Sequence, residues 1–218
     1  MEINDKNIWE IYSPVYAKIT PTMQKSLLLH AAINAKGSVL DAGTGVGKVL
    51  PYLKSNQNVD TVVGIDSNNF MLKESKKHED ENVRTQIGNV IDYAGKFDTI
   101  ISLNVLYTLS NPIQFLKNSY SNLNKNGNLI ISSPSTVLDM KTLTNMIDLE
   151  FNASTNDKLK EDYNLFKDCN FYLASQTGFK PKLFDMEEMI TILEDIGYQI
   201  SDSQKNYLNQ NFTIVATK

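Results

Sequence analysis

The stretch Asp41-Ala42-Gly43-Thr44-Gly45-Val46-Gly47-Lys48 carries the densest chemical signal in the 218-residue chain. Its three glycines alternate with other residues. They sit between a short apolar run ending in an acid (Val39-Leu40-Asp41) and a second apolar run (Val49 to Leu53) with helical character. Glycines between a strand and a helix allow a tight turn and let a ligand approach the backbone. Two familiar loops of this kind do not fit. A phosphate-binding Walker loop needs Gly, four residues, then Gly-Lys-Ser/Thr; here Ala42 stands where the first Gly belongs and Val49 where the hydroxyl belongs. A dinucleotide fingerprint needs Gly-x-Gly-x-x-Gly; here the third Gly comes one residue early, at Gly47, and Lys48 fills its slot. A second acid, Asp66, ends the run Val62-Val63-Gly64-Ile65-Asp66-Ser67. An acid at such a position can accept hydrogen bonds from both hydroxyls of a ribose.

The scarce residues remove other chemistries. Cys169 is the single cysteine and His30 and His78 are the only histidines. An internal disulfide is therefore excluded, a reducing compartment is the natural home, and a Cys/His zinc site cannot be assembled, so no metal is expected. A Ser-His-Asp or Cys-His mechanism would have to recruit one of those two histidines. His30 lies among Leu and Ala on a helix-like run, His78 follows Lys76-Lys77 as a solvated end, and Cys169 reads as a small buried hydrophobe. Arg84 is the sole arginine, which argues against a heavily phosphate-directed site. The formal charge is −4, so the basic footprint of a nucleic-acid binder is absent. No charged n-region followed by an apolar stretch marks a secretory signal, and no apolar run approaches a membrane span. The expectation is a cytoplasmic, soluble protein with no nucleic-acid or membrane partner, a monomer or homodimer.

The elements that must position these groups alternate. Ile8 to Ile33 reads as two helical pieces broken near Pro14 and Pro21, with Gly37 as a C-cap. Strands follow at Ser38 to Asp41, Thr61 to Asp66, Val83 to Ile87, Phe97 to Leu103 and Asn128 to Ser132. Helices intervene at Val49 to Leu53, Asn69 to His78 and Pro112 to Leu123. Strand–helix alternation at this spacing predicts a parallel, doubly wound sheet with helices on both faces. Pro134 to Phe184 breaks the rhythm; rich in Met, Phe and Tyr, it reads as two or three inserted helices. A helix from Asp185 to Ile196 and strands at Tyr198 to Lys205 and Phe212 to Thr217 close the chain, the last two as an antiparallel hairpin.

The Asp-x-Gly-x-Gly-x-Gly loop and its companions in order resemble the class I S-adenosylmethionine-dependent methyltransferases, over roughly Gly37 to Pro134 and again in the C-terminal helix and hairpin. The companions are Asp66, the turn Gly88-Asn89-Val90, the fourth strand running into Asn104-Val105-Leu106-Tyr107, and Asn126-Gly127 before the fifth strand. The resemblance implies a Rossmann-like seven-stranded, mostly parallel sheet with a final antiparallel strand and a helical cap insertion. It implies S-adenosyl-L-methionine as cofactor, held by Asp41, Gly43, Thr44, Gly45, Gly47, Asp66, Ser67, Asn89, Val90, Asn104 and Tyr16. Asp41 would face the amino group of the methionine part. Asn89 departs from the family's usual Asp but keeps an acceptor oxygen for adenine.

Tyr107, after the fourth strand, is the catalytic candidate, orienting a nucleophile or sharing its proton. Tyr12, Tyr107, Met140 and Tyr172 are the candidate substrate residues. Three regions follow: residues 1–36 as an N-terminal helical lid, 37–133 with 185–218 as the cofactor-binding core, and 134–184 as a cap over the acceptor. The activity implied is methyl transfer to O or N of a small molecule. Two alternatives stay open: other chemistry on the cofactor's aminobutyl part, and a cofactor-binding module without turnover. Tyr163-Asn164-Leu165-Phe166-Lys167 matches a dehydrogenase Tyr-x-x-x-Lys pair by chance, because the glycine spacing that should accompany it is missing.

Overall fold

The computed structural model describes residues 3–175 and 180–218, apart from the side chain of Met140. Two helices, α1 (Ile8–Lys18) and α2 (Thr22–Ile33), lead into β1 (Gly37–Ala42), α3 (Leu50–Lys54), β2 (Val59–Asp66), α4 (Asn69–Ser75), β3 (Val83–Ile87) and β4 (Phe97–Leu103). Next come α5 (Pro112–Asn122) and β5 (Leu123–Pro134), the inserted α6 (Met140–Asn152) and α7 (Asp157–Ser175), then α8 (Met186–Ile196), β6 (Gln199–Asn206) and β7 (Asn211–Thr217). The seven strands form one sheet in the order β3-β2-β1-β4-β5-β7-β6. Only β7 runs against its neighbours, pairing antiparallel with both β5 and β6. The doubly wound, mostly parallel architecture expected from the alternation is present.

Period-2 alternation divides the core. Leu40 and Ile100 point to one face, where they meet Phe115, Leu116, Met189 and Leu193 of α5 and α8. Their neighbours Val39 and Ile101 point to the other, against Leu28, Ala31 and Leu53 of α2 and α3. Strands buried on both faces read as continuous apolar runs, as Ile100-Ile101 does. Local signals set the helix ends. The Asn111 side chain accepts from the Gln114 N–H at 3.1 Å with Pro112 in the first turn, and Gly197 ends α8 at φ +114°.

Three sequence expectations shift. Gly37 does not cap α2, which ends at Ile33 with Asn34 as its cap; it opens β1 at φ +61°, where a Cβ would strike the Asp98 carboxylate. The fifth strand starts at Leu123, because its first residues pair with Phe97 across an irregularity. The first helix runs on through Pro14, so the pieces part only at Ile19–Pro21. The insertion folds as two helices, one of the two counts expected, and Phe179 lies outside the described residues.

The N-terminal region divides. Whereas α2 packs on the sheet, α1 packs on α7: Ile8, Tyr12 and Val15 bury with Cys169 and Phe166, and Ile19 with Phe151 and Tyr163. The rings of Tyr12 and Phe166 stack with centroids 6.0 Å apart. The first helix and the insertion thus make one apolar body.

Candidate active site

The strand order reverses between β1 and β4, and in open α/β sheets the crevice at such a switch point takes the ligand. The loop after β1 fills it. Gly43 and Thr44 both donate their N–H to the Ile65 carbonyl of β2, at 2.8 and 2.9 Å. Gly43, Gly45 and Gly47 all have positive φ, at +85°, +56° and +78°. A Cβ at Gly43 would lie 2.3 Å from Val105, so the turn is closed there, whereas one at Gly45 would meet nothing within 4 Å. Gly45 therefore leaves the backbone open to the approach of a ligand.

A pocket at this loop is lined by Asp41, Gly43, Thr44, Gly45, Asn104 and Tyr16, all expected from the sequence, and by Lys48, Gln24, Leu27 and Leu103 among others. Asp41, 3% exposed, ends β1, and its Oδ2 has no hydrogen-bond partner. Burial pushes its carboxyl up to about 7, the Thr44 side chain beside it pulls back, and Asp66 raises it further. Such an orphaned buried acid fits a cationic amino group, which would supply both the missing charge and the missing donor. Asp66 is organised differently: Oδ2 accepts from the Gly45 N–H and Oδ1 from the Asn68 N–H, both at 2.8 Å. Burial raises its pKa and these backbone donors partly offset that. The carboxylate therefore braces the glycine loop from β2 and keeps lone pairs for a diol. Both acids and the open face of Gly45 fit the ribose and amino-acid parts of S-adenosylmethionine.

Asn104 ends β4 in the left-handed region at φ +57°, a conformation Asn tolerates better than most residues. It is locked from behind: its N–H donates to the Ser132 carbonyl at 2.8 Å, Asn211 Nδ2 donates to its Oδ1 at 2.7 Å, and Ser132 Oγ donates to Asn211 Oδ1 at 2.7 Å. The Asn104 side chain also bonds to the hydroxyl of Tyr207. Tyr207 sits in the β6–β7 turn, where Tyr207, Leu208 and Asn209 all have positive φ. Tyr12, Tyr107 and Tyr207 all lie close enough to Tyr16 to feel its charge, and burial raises all four phenols. They stay protonated at neutral pH and act as donors and walls, not bases.

Other candidates fall elsewhere. Gly47 turns the chain toward Ser75 and His78. Ser67 is exposed after β2. Asn89 spends its groups on its own turn, Oδ1 accepting from the Ile91 N–H at 3.0 Å and Nδ2 donating to Asp92 at 2.7 Å, while Val90 packs on the core beside it. Tyr12 stacks on Tyr16 at 5.1 Å and donates to Asn170 at 3.2 Å. Tyr172 donates to Asp5 at 2.6 Å, tying α7 to the segment before α1. The Met140 side chain lies outside the described residues. Among the described residues no cluster of acids, His and Cys could hold a metal. The sequence reading missed Lys48, Gln24 and Tyr207. Tyr207, half-buried, is the one aromatic in the β6–β7 turn, but nothing local says where its ring goes.

A family model for the methyltransferase domain matches residues 16–202. The chain belongs to this methyltransferase family. It is a class I, S-adenosylmethionine-dependent enzyme by that membership, and S-adenosylmethionine is its cofactor. A search of curated proteins gives no match. Solved structures share the fold at low identity. A methyltransferase from Aquifex aeolicus is 18% identical with a TM-score of 0.60, the match covering 99% of each chain. Magnesium protoporphyrin IX methyltransferase from Synechocystis PCC 6803, solved with S-adenosylhomocysteine, is 16% identical with a TM-score of 0.60, covering 100% of this chain and 89% of that one. The cyclase SpnF is 12% identical with a TM-score of 0.60, covering 88% and 79%.

Proposed function

We propose that this methyltransferase moves a methyl group from S-adenosylmethionine to an oxygen or nitrogen of a small molecule. The observation that carries the reading is Asp41: a buried carboxylate with an unpartnered oxygen, beside an open glycine, in the crevice where the strand order turns. In this reading Asp41 holds the cofactor's ammonium and Asp66 its ribose hydroxyls. Gly43, Thr44, Gly45 and Gly47 shape the loop, Ser67, Asn89 and Val90 flank the nucleoside, and Asn104 and Tyr16 close the methionine end. The sulfonium supplies an activated methyl group, so the chain's own task is to align the acceptor and exclude water. Tyr107, a protonated phenol, orients the acceptor by hydrogen bonding, and Tyr12 and the inserted helices wall it in.

The lid of residues 1–36 and the cap of residues 134–184 close the site over the core of residues 37–133 and 185–218. A wall of neutral phenols with no free base favours an acceptor that ionises by itself, or a neutral amine. A free buried thiol at Cys169 and the absence, among the described residues, of a helix long and apolar enough to cross a membrane support a cytoplasmic home. The acidic chain supports a small-molecule partner.

Product analysis tests this. The enzyme is incubated with S-adenosylmethionine and a panel of phenols, carboxylic acids and amines. S-adenosylhomocysteine with a methylated O or N is expected, and Tyr107→Phe should lower turnover while leaving cofactor affinity unchanged. Methylthioadenosine as the product would replace the reading with elimination or cyclisation of the aminobutyl part. A C-methylated product would replace the acceptor class. Cofactor binding with no turnover on any acceptor would leave a binding module.

A further inference from the structure

Lys48 has no part in the reading so far, and its surroundings are unusual. Its Nζ donates to the Ile19 carbonyl at 2.6 Å and to Gln24 Oε1 at 2.7 Å, and it lies 3.5 Å from the centroid of the Tyr16 ring. Gln24 Nε2 in turn donates to the Tyr16 hydroxyl at 3.0 Å. Two acceptors and a ring face all favour an ammonium over a neutral amine. Yet each of these partners is uncharged, and burial, with the cation Lys77 nearby, holds the Lys48 amine well below the usual lysine range, so it gains most from an anion brought beside it. Two of its three N–H donors are spoken for.

Asp41 lines the same pocket and its Oδ2 is also without a partner. The two residues do not pair with each other. Burying a charge without a counter-charge is costly, and burial drives both groups toward their neutral forms, Asp41 up and Lys48 down. An acid and an amine without counter-charges in one pocket are the complement of a zwitterion, whose two ends would restore both charges. The net charge of the cofactor sharpens the point. S-adenosylmethionine carries a sulfonium and an ammonium against a single carboxylate, so a lysine beside it is repelled unless the carboxylate faces it.

We propose that Lys48 binds the α-carboxylate of the cofactor opposite Asp41 on the α-ammonium, so that one pocket reads both ends of the amino-acid zwitterion. This rests on the methyltransferase reading above. Because the same ammonium holds the Ile19 carbonyl and Gln24, the carboxylate also ties the α1–α2 connection to the glycine loop.

Calorimetric titration of the whole chain tests it with three probes: S-adenosylhomocysteine, its decarboxylated analogue, and methylthioadenosine, which lacks the amino-acid end. The wild-type protein should prefer S-adenosylhomocysteine to the decarboxylated analogue by about 10- to 100-fold, the range for a charge-assisted hydrogen bond. Lys48→Met should erase that preference while changing the affinity for methylthioadenosine by less than about twofold, which also reports that the variant is folded. Equal loss for all three probes would show that Lys48 acts only by holding the lid, and would overturn the proposal. Equal wild-type affinity for S-adenosylhomocysteine and its decarboxylated analogue would overturn it without any variant. Should the wild type bind none of the three, the cofactor reading itself fails, and this one with it.

Discussion

Ile100 and Ile101 of β4 are fully buried on opposite faces of the sheet, while Leu149 of α6 is 79% exposed and Phe171 of α7 is 51% exposed. The sheet is packed from both sides by apolar side chains of α2, α3, α5 and α8. The body made by α1, α6 and α7 is held by ring stacks, such as Phe151 on Tyr163 at 4.7 Å, and by ion pairs such as Lys18–Asp162 at 2.9 Å and Lys167–Asp148 at 2.8 Å. Partly exposed ion pairs contribute little, on the order of 0–1 kcal/mol. Asp41, Asp66 and the glycine loop stand on strand ends, so their positions are fixed by the strongest packing in the molecule. The tyrosines of the acceptor wall stand on helices and a turn that are more weakly held. In the proposed reading the cofactor's place is therefore rigid, and the acceptor's place is open to change without loss of the fold.

The largest expected effect falls in the sheet. Ile100→Ala removes side-chain atoms at a fully buried position between α5, α8 and β5, and should cost about 3 kcal/mol in stability. For a domain of this size that lowers the melting temperature by roughly 6–12 °C. The loss should appear in thermal denaturation, with S-adenosylhomocysteine affinity of the surviving folded protein unchanged. A variant that melts like the wild type would refute the contrast at its base.

Asp66→Ala comes next. It removes the acceptors for the Gly45 and Asn68 N–H groups as well as those offered to a ribose, so cofactor affinity should fall by about 1–3 kcal/mol. Titration with S-adenosylhomocysteine and with free methionine separates the two roles: the first should weaken much more than the second. Unchanged affinity for the nucleoside ligand would move the ribose site away from β2.

The pH dependence of the rigid half is a third check. Folding lifts the Asp41 carboxyl from 3.8 to about 7. A raised carboxyl favours the protonated native state, so its contribution to the ligand-free protein is full below about pH 3.8 and is lost as pH rises through 7. Ligand binding has the opposite sign, because the ammonium needs the carboxylate. S-adenosylhomocysteine affinity should fall roughly tenfold between pH 7.5 and pH 6, about 1.4 kcal/mol per unit once Asp41 is mostly protonated. Asp41→Asn should bind more weakly and show a flat profile. A wild-type profile already flat over that range would take Asp41 out of the ammonium site.

The same division explains what could be read from the sequence. The strands and the glycine loop were legible because two-face burial forces unbroken apolar runs, and because Gly43 has no room for a Cβ while Gly45 leaves the backbone open. Gly37 misled for a related reason: its positive φ belongs to a strand entrance crowded by Asp98, a contact 61 residues away that local spacing cannot show. The acceptor wall was half legible. Tyr12 and Tyr107 were visible as aromatics near landmarks, as was Tyr16 at the cofactor's end. Lys48 was visible but without a role, because its meaning depends on Ile19 and Gln24 reaching it from another helix pair. Tyr207 was hidden, since three consecutive left-handed residues carry it into place and none is glycine.

The smallest effect concerns the weakly held half. Phe166 on α7 has its ring 6.0 Å from Tyr12, 6.2 Å from Tyr16 and 6.2 Å from Tyr163. It packs in the apolar clusters of α1, α6 and α7 and not in those of the sheet. Phe166→Ala should remove stacking worth about 0.5–1.5 kcal/mol and loosen the tyrosines that face the acceptor. The acceptor KM should therefore rise roughly 2- to 10-fold, with S-adenosylhomocysteine affinity changed by less than about twofold. Steady-state kinetics with the best acceptor from the panel, beside calorimetry on the same preparation, reads both quantities. The opposite pattern, a weakened cofactor and an unchanged KM, would mean that α7 supports the cofactor's end of the pocket through Tyr16 and not the acceptor. The boundary between a rigid cofactor half and a pliable acceptor half would then have to be redrawn inside the cap.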